Sequence, residues 1–153
     1  MDSASWQPPL LVTIIDELFD AHVSLETILL NEKQALTHVE IDLEAIQNLS
    51  EEKQKILTTV SQLEKSLIAS LAFSSLSTLR QQIEEAIDQI ALPSRTTVQE
   101  KWQNLVVVVK RCKDLNDVNS AIVKASLSYN RKKLNILNSM MSTGIYDQKG
   151  SMV

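Results

Sequence analysis

The stretch LLVTIIDELFDAHVSLETILLNEKQALTHVEIDLEAI, residues 10–46, decides the fold. Its seam positions advance in alternating steps of four and three. They are Leu11, Ile15, Leu18, His22, Leu25, Leu29, Glu32, Leu36, Val39, Leu43 and Ile46. Side chains at those steps lie on one face of an α-helix, and the pattern is a heptad seam with polar interruptions at His22 and Glu32. Neither Gly nor Pro breaks it before Leu49, so the spacing predicts one helix over 9–48. A helix of about 40 residues spans roughly 60 Å at 1.5 Å per residue. That length implies an elongated hairpin or bundle. His22, on the seam, reads as a packed core histidine.

Working outward, Pro8-Pro9 close a polar leader and suit a first helical turn. Asn48-Leu49-Ser50 is the expected turn after the first helix, with Asn48 or Ser50 as cap and Glu51 and Glu52 at the positive helix end. Ile56, Val60, Leu63, Leu67 and Leu71 carry a second seam. The patch Phe73-Ser74-Ser75-Leu76-Ser77 is expected to bend or loop. Leu76, Leu79, Ile83, Ile87 and Ile90 make a third stripe, which Pro93 stops. Thr97 with Glu100 forms a capping box for a last helix over 97–141. After Ser142 the chain turns polar and contains Gly144 and Gly150.

Composition agrees with helices. The 153 residues include only 2 Gly and 3 Pro, and aromatics are 4%. A sheet protein would use more of each. The expected fold is all-α: elongated antiparallel helical hairpins or a bundle, with a long C-terminal helix. One domain over 1–153 is expected, with 1–8 a flexible leader and 142–153 a flexible tail. The net charge of −4 is spread over both signs and lacks a nucleic-acid footprint. Lys110-Arg111-Lys113 and Arg131-Lys132-Lys133 read as solvated faces, with acidic partners or RNA as the lesser alternative. Cys112 is the single cysteine, which points to a reducing compartment. No secretory signal or membrane span is visible, so a cytosolic protein without membrane insertion is expected.

Motifs for chemistry fail one by one. There is no P-loop, dinucleotide fingerprint or nucleophile elbow. His38 and Asp42 are four apart, but no third metal ligand accompanies them. Cys112 sits in an apolar stretch and reads as a buried, inert thiol. Glu84-Glu85 occupy ordinary exposed helix positions. No catalytic, cofactor or metal residue is assigned, and no enzyme is expected.

The last third carries the functional signal. Asn116, Asn119 and Asn130 fall at spacings of three and eleven, near one helix face. Val123, Leu127, Leu134, Leu137 and Met141 share it. A pure core helix would not hold three amides there, since each buried amide needs partners or costs ~1–3 kcal/mol. A pure surface helix would not hold the apolar residues. The mixture fits either a surface that meets another chain or a buried polar network.

Two stretches of this region, taken together, resemble the FlgN family of flagellar type III export chaperones. The first is Trp102 followed by Arg111-Cys112-Lys113-Asp114-Leu115-Asn116-Asp117-Val118-Asn119. The second is Asn130 through Leu137 with the ending Ile145-Tyr146-Asp147-Gln148-Lys149-Gly150. Ser120 departs from the family, which usually has Gly there. The resemblance implies a cytosolic, non-enzymatic chaperone that binds the C-terminal region of the hook-associated proteins FlgK and FlgL. It would prevent their premature assembly and deliver them to the export gate protein FlhA. The resemblance places cargo on Asn116, Asn119, Val123, Leu127, Asn130, Leu134, Leu137 and Met141, and the gate contact on Tyr146. Helix-in-groove recognition suits such a stripe. The competing readings are a structural or scaffolding coiled coil and another type III secretion chaperone. A helical-bundle enzyme or metal carrier is a third, against which the missing Glu-x-x-His pairs count.

Overall fold

The computed structural model describes residues 8–71 and 79–142. All of the expected leader but Pro8 (which opens the first helix), the 73–77 bend and most of the tail lie outside the described residues. The described residues form four helices and no strand: α1 (Pro8–Thr37), α2 (Leu43–Leu71), α3 (Leu79–Asp88) and α4 (Ser94–Ser142).

The first helix is shorter than the expected 9–48. It stops at Thr37, whose Oγ1 donates back to the Lys33 carbonyl at 2.8 Å. A five-residue corner follows, and α2 begins at Leu43. Asp42 caps it: Oδ1 accepts the Ala45 N–H at 3.1 Å, satisfying one of the free donors of the first turn. Glu44 adds negative charge where the helix dipole favours it. Asn48-Leu49-Ser50 therefore lie inside α2 and cap nothing. The seam misled because Val39, Leu43 and Ile46 keep the four-three phase through the corner. Val39 is 99% exposed and Leu43 76% exposed, so these two seam positions face solvent, while Ile46 is half-buried.

Thr97 and Glu100 also fall inside a helix. The chain turns after α3 through Ile90, whose N–H donates to the Ile87 carbonyl. It then enters α4 at Ser94, three residues before the expected cap. Arg95 reaches back to the Ile90 carbonyl with Nε at 2.8 Å and fastens this corner.

The two flanking helices run in opposite senses along α1. Glu32 pairs with Lys53, while Leu18 and His22 lie opposite Glu64 and Leu67, so α2 is antiparallel to α1. Asp16 meets Lys101, Glu26 meets Arg111 and Leu29 meets Asn119, so α4 runs parallel to α1 at a nearly constant offset. The α1 seam is buried from Leu11 to Glu32, and Ile14 and Ile28 are buried beside it. A stripe wider than a two-helix seam is what a helix held between two partners requires. Val60, Leu67 and Leu71 of α2 join this core, with Ile56 and Leu63 partly buried against it. Ile83, Ala86 and Ile87 of α3 and Leu105, Val108 and Cys112 of α4 complete it.

Candidate functional site

The inward stripe of α4 is Val98, Leu105, Val108, Cys112 and Asn119, with Leu115 partly buried. Two of these residues, Cys112 and Asn119, bond to α1. Cys112 Sγ donates to the His22 carbonyl at 3.2 Å. Its burial pushes the thiol up to about 11, with the Glu26 charge adding to the shift and Arg111 opposing it. It is a protonated packing group at neutral pH, as the sequence suggested. His22 is packed in the same core, its Nδ1 2.8 Å from the Leu18 carbonyl.

At the end of the covered stretch sits a polar cluster. Asn119 is 2% exposed. Its Nδ2 donates to the Leu29 carbonyl at 3.0 Å and to Glu32 Oε1 at 2.9 Å. Lys53 reaches from α2 to Glu32 Oε2 at 2.8 Å. Three helices are tied at one carboxylate, and the bonds work only in one register. Asn119 thus fits the buried-network alternative: its Nδ2 is bonded inside the bundle, while its Oδ1 is buried without a hydrogen-bond partner. Asn116 is exposed at the rim, beside Lys113 and Lys53. Asn130 is exposed farther along. The three amides share a face on the helix but not an environment. Ser120 is exposed and points away from α1, so a side chain there does not hinder the approach of the two helices.

Beyond Asn119 the covering thins, and α1 ends within about two turns. At the offset set by Leu29 and Asn119, the last residue of α1, Thr37, is level with the region of Ala125 to Leu127. From there α4 extends past the end of α1 to Ser142. Residues 120–139 are exposed except Ile122, which is half-buried. Yet the apolar face does not stop. Val123 is 41% exposed, Leu127 51%, Leu134 58% and Leu137 48%. These four expected residues and Asn130 continue the stripe that α1 covers farther back. Met141 lies on the helix, but its side chain, like all of Tyr146, is outside what is described. Lys133 holds its ammonium 5.7 Å from the centre of the Tyr129 ring at one edge of the stripe.

The sequence reading missed a neighbour of this arm. The α1–α2 corner is at the same end of the bundle and exposes Val39, Ile41 and Leu43. Its signal was Asp42-Leu43-Glu44, a cap followed by an acidic first turn. Trp102 sits at the other end of the molecule. It lines a cavity of about 270 Å³ with Leu18, Leu67, Ile83 and Leu105. Among the described residues no three His, Cys, Asp or Glu side chains gather as a metal-holding group. His38 and Asp42 are occupied in shaping the corner. No helix among the described residues is long and apolar enough to cross a membrane.

Compared with known proteins, the chain matches the family model described as FlgN protein over residues 9–153. No curated protein and no solved structure matches it.

Proposed function

The chain belongs to the FlgN family, a family of flagellar export chaperones, and from that premise we propose which surface takes the cargo and which passes it on. The protein is a cytoplasmic, non-enzymatic chaperone. It holds the C-terminal region of the hook-associated proteins FlgK and FlgL on the projecting part of α4. It then brings them to the gate protein FlhA through Tyr146. The observation that carries this reading is the bare continuation of the α4 stripe through Val123, Leu127, Asn130, Leu134 and Leu137. A helical stripe that α1 covers up to Asn119 and leaves open beyond it has the geometry for a second helix to take α1's place. Burying a Leu side chain contributes about 1.5–3 kcal/mol, so several half-exposed ones suffice to hold a segment. Asn116 before the groove and Asn130 midway along it bias its register, while Asn119 holds the groove's base to α1. Met141 extends the apolar line.

Tyr146 follows the arm in sequence, beyond Gly144. An aromatic ring there offers contact area at low entropy cost. Capture and delivery then use separate side chains.

The test is co-purification from cells that express the flagellar operon. Leu127→Asp and Leu134→Asp are expected to lose FlgK and FlgL while staying folded. Tyr146→Ala is expected to keep them and to lose only binding of the loaded chaperone to the FlhA cytoplasmic domain. Retention of both cargos by both aspartate variants refutes the cargo surface. Loss of cargo in Tyr146→Ala refutes the separation.

A further inference from the structure

The arm has a charge pattern that its apolar stripe does not explain. Between Val118 and Tyr146 the chain contains Lys124, Arg131, Lys132 and Lys133 and not one Asp or Glu. The protein as a whole is acidic, at −4. At about 100° per residue, Lys124 and Arg131 fall along one edge of the stripe, next to Leu127. Lys133 falls along the other edge, between Asn130 and Leu137. All three are exposed. They flank the bare stripe as the e and g positions of a coiled coil flank its seam.

Where α4 is covered, the pattern is different. Lys101 is paired with Asp16 and Arg111 with Glu26, both across to α1. In the covered half, then, α1 supplies both the apolar seam and the acidic edge. In the bare half neither is supplied by the described residues.

We propose that the segment docking on the arm is an amphipathic helix with acidic residues along both edges of its apolar stripe, opposite Lys124 and Arg131 on one side and Lys133 on the other, and pairing with them as Asp16 and Glu26 of α1 pair with Lys101 and Arg111. This rests on the reading of the arm as the cargo surface and adds the chemistry of the cargo. A second copy of this chain does not fit, because arm against arm would set basic edge on basic edge. An anionic membrane is less suited, because a cation-edged helix facing lipid would need no amides in its apolar stripe, and Asn130 interrupts this one. Acidic edges also confer choice: a helix with a good apolar stripe but basic edges is turned away. From Ser120 to Ser142 the arm spans roughly 35 Å at 1.5 Å per residue, room for a partner helix of about 20 residues.

The experiment uses the full-length chain and two synthetic helical peptides of about 20 residues. Both carry leucine at a and d; one has glutamate at e and g, the other lysine. Affinities are measured by fluorescence anisotropy at low and high salt. Exposed ion pairs are individually weak but act together with the repulsion of the lysine peptide, so the acidic peptide is expected to bind about tenfold more tightly, with the gap narrowing in salt. The variant K124E/R131E/K133E, checked for helicity, is expected to reverse the preference. Equal binding of both peptides that Leu134→Asp abolishes overturns the charge proposal and leaves the docking surface standing. Binding that Leu134→Asp does not alter, or no binding of either peptide, overturns both. So does a dimer in sedimentation that Leu134→Asp dissociates. Retention on phosphatidylglycerol vesicles without peptide binding overturns the proposal in favour of a lipid partner.

Discussion

Leu105 and Leu127 lie on the same stripe of α4, one buried under α1 and one half-exposed at its end, so truncating each to alanine separates folding from capture. Leu105 is 3% exposed and belongs to the core with Val108, Ile83 and Ile87. A buried Leu→Ala change removes transfer free energy and leaves a cavity, costing ~2–5 kcal/mol. Packing on α1 and beside α3 puts Leu105→Ala near ~3 kcal/mol. Leu127 is 51% exposed, so its truncation should shift stability by no more than about 0.5 kcal/mol. Its helix propensity even improves slightly. Cargo would bury the half that is now open. Losing that contact costs ~1–2 kcal/mol, or about 5- to 30-fold in affinity. Urea titration followed by helical ellipticity gives the stabilities. Calorimetry with the C-terminal segment of a hook-associated protein gives the affinities. A stability loss in Leu127→Ala as large as that in Leu105→Ala would refute the reasoning, since it would mean that the arm is covered in the free protein. Unchanged affinity in Leu127→Ala would remove that residue from the groove.

Glu32→Ala should destabilise by ~1–3 kcal/mol, because it removes one of the two acceptors of the buried Asn119 Nδ2 and leaves Lys53 without its carboxylate; denaturant titration measures it, and no change would mean the cluster does not tie the helices. Asp42→Ala should cost ~1 kcal/mol through loss of the α2 cap, seen as a lower Tm, whereas Asn48→Ala and Ser50→Ala should be nearly silent. The Cys112 thiol is raised from 9.0 to about 11 in the folded protein, so the unfolded chain loses that proton first. Its contribution to stability is complete below about pH 9 and falls away as pH rises toward 11. Comparison of wild type with Cys112→Ala across that range should show the extra decline only in wild type, and alkylation of the folded protein at pH 8 should be slow.

The buried part of the fold was legible because helical periodicity records which faces are covered. Leu11 to Glu32, Val60 to Leu71 and Ile83 to Ile90 are seams in the sequence and seams in the structure. What periodicity does not record is where a covering partner ends. Val39 and Leu43 keep the phase of α1 across a corner, and Leu134 and Leu137 keep the phase of α4 beyond its neighbours. Both pairs look like core in the sequence and are open in the structure. The corner was missed because it uses neither Gly nor Pro; Thr37 and Asp42 make it with side-chain hydrogen bonds. The asparagines show the same limit. Asn119 and Asn130 are equivalent by angle, but only Asn119 lies level with Leu29 and Glu32. A single helix pattern cannot tell a buried amide from an open one until the register of α1 against α4 is known.

On the proposed reading, cargo replaces α1 along the bare half of α4. Ser120–Ser142 is rich in Ser and Asn, and a helix of that length is marginal in water without a packed face. Hydrogen exchange of the free protein should therefore be fast along the arm and slow in α4 before Asn119. Addition of the C-terminal segment of FlgK or FlgL should slow exchange from Val123 to Leu137 and leave α3 unchanged. Protection that appears on α2 or α3 while the arm goes on exchanging at its free rate would contradict the account.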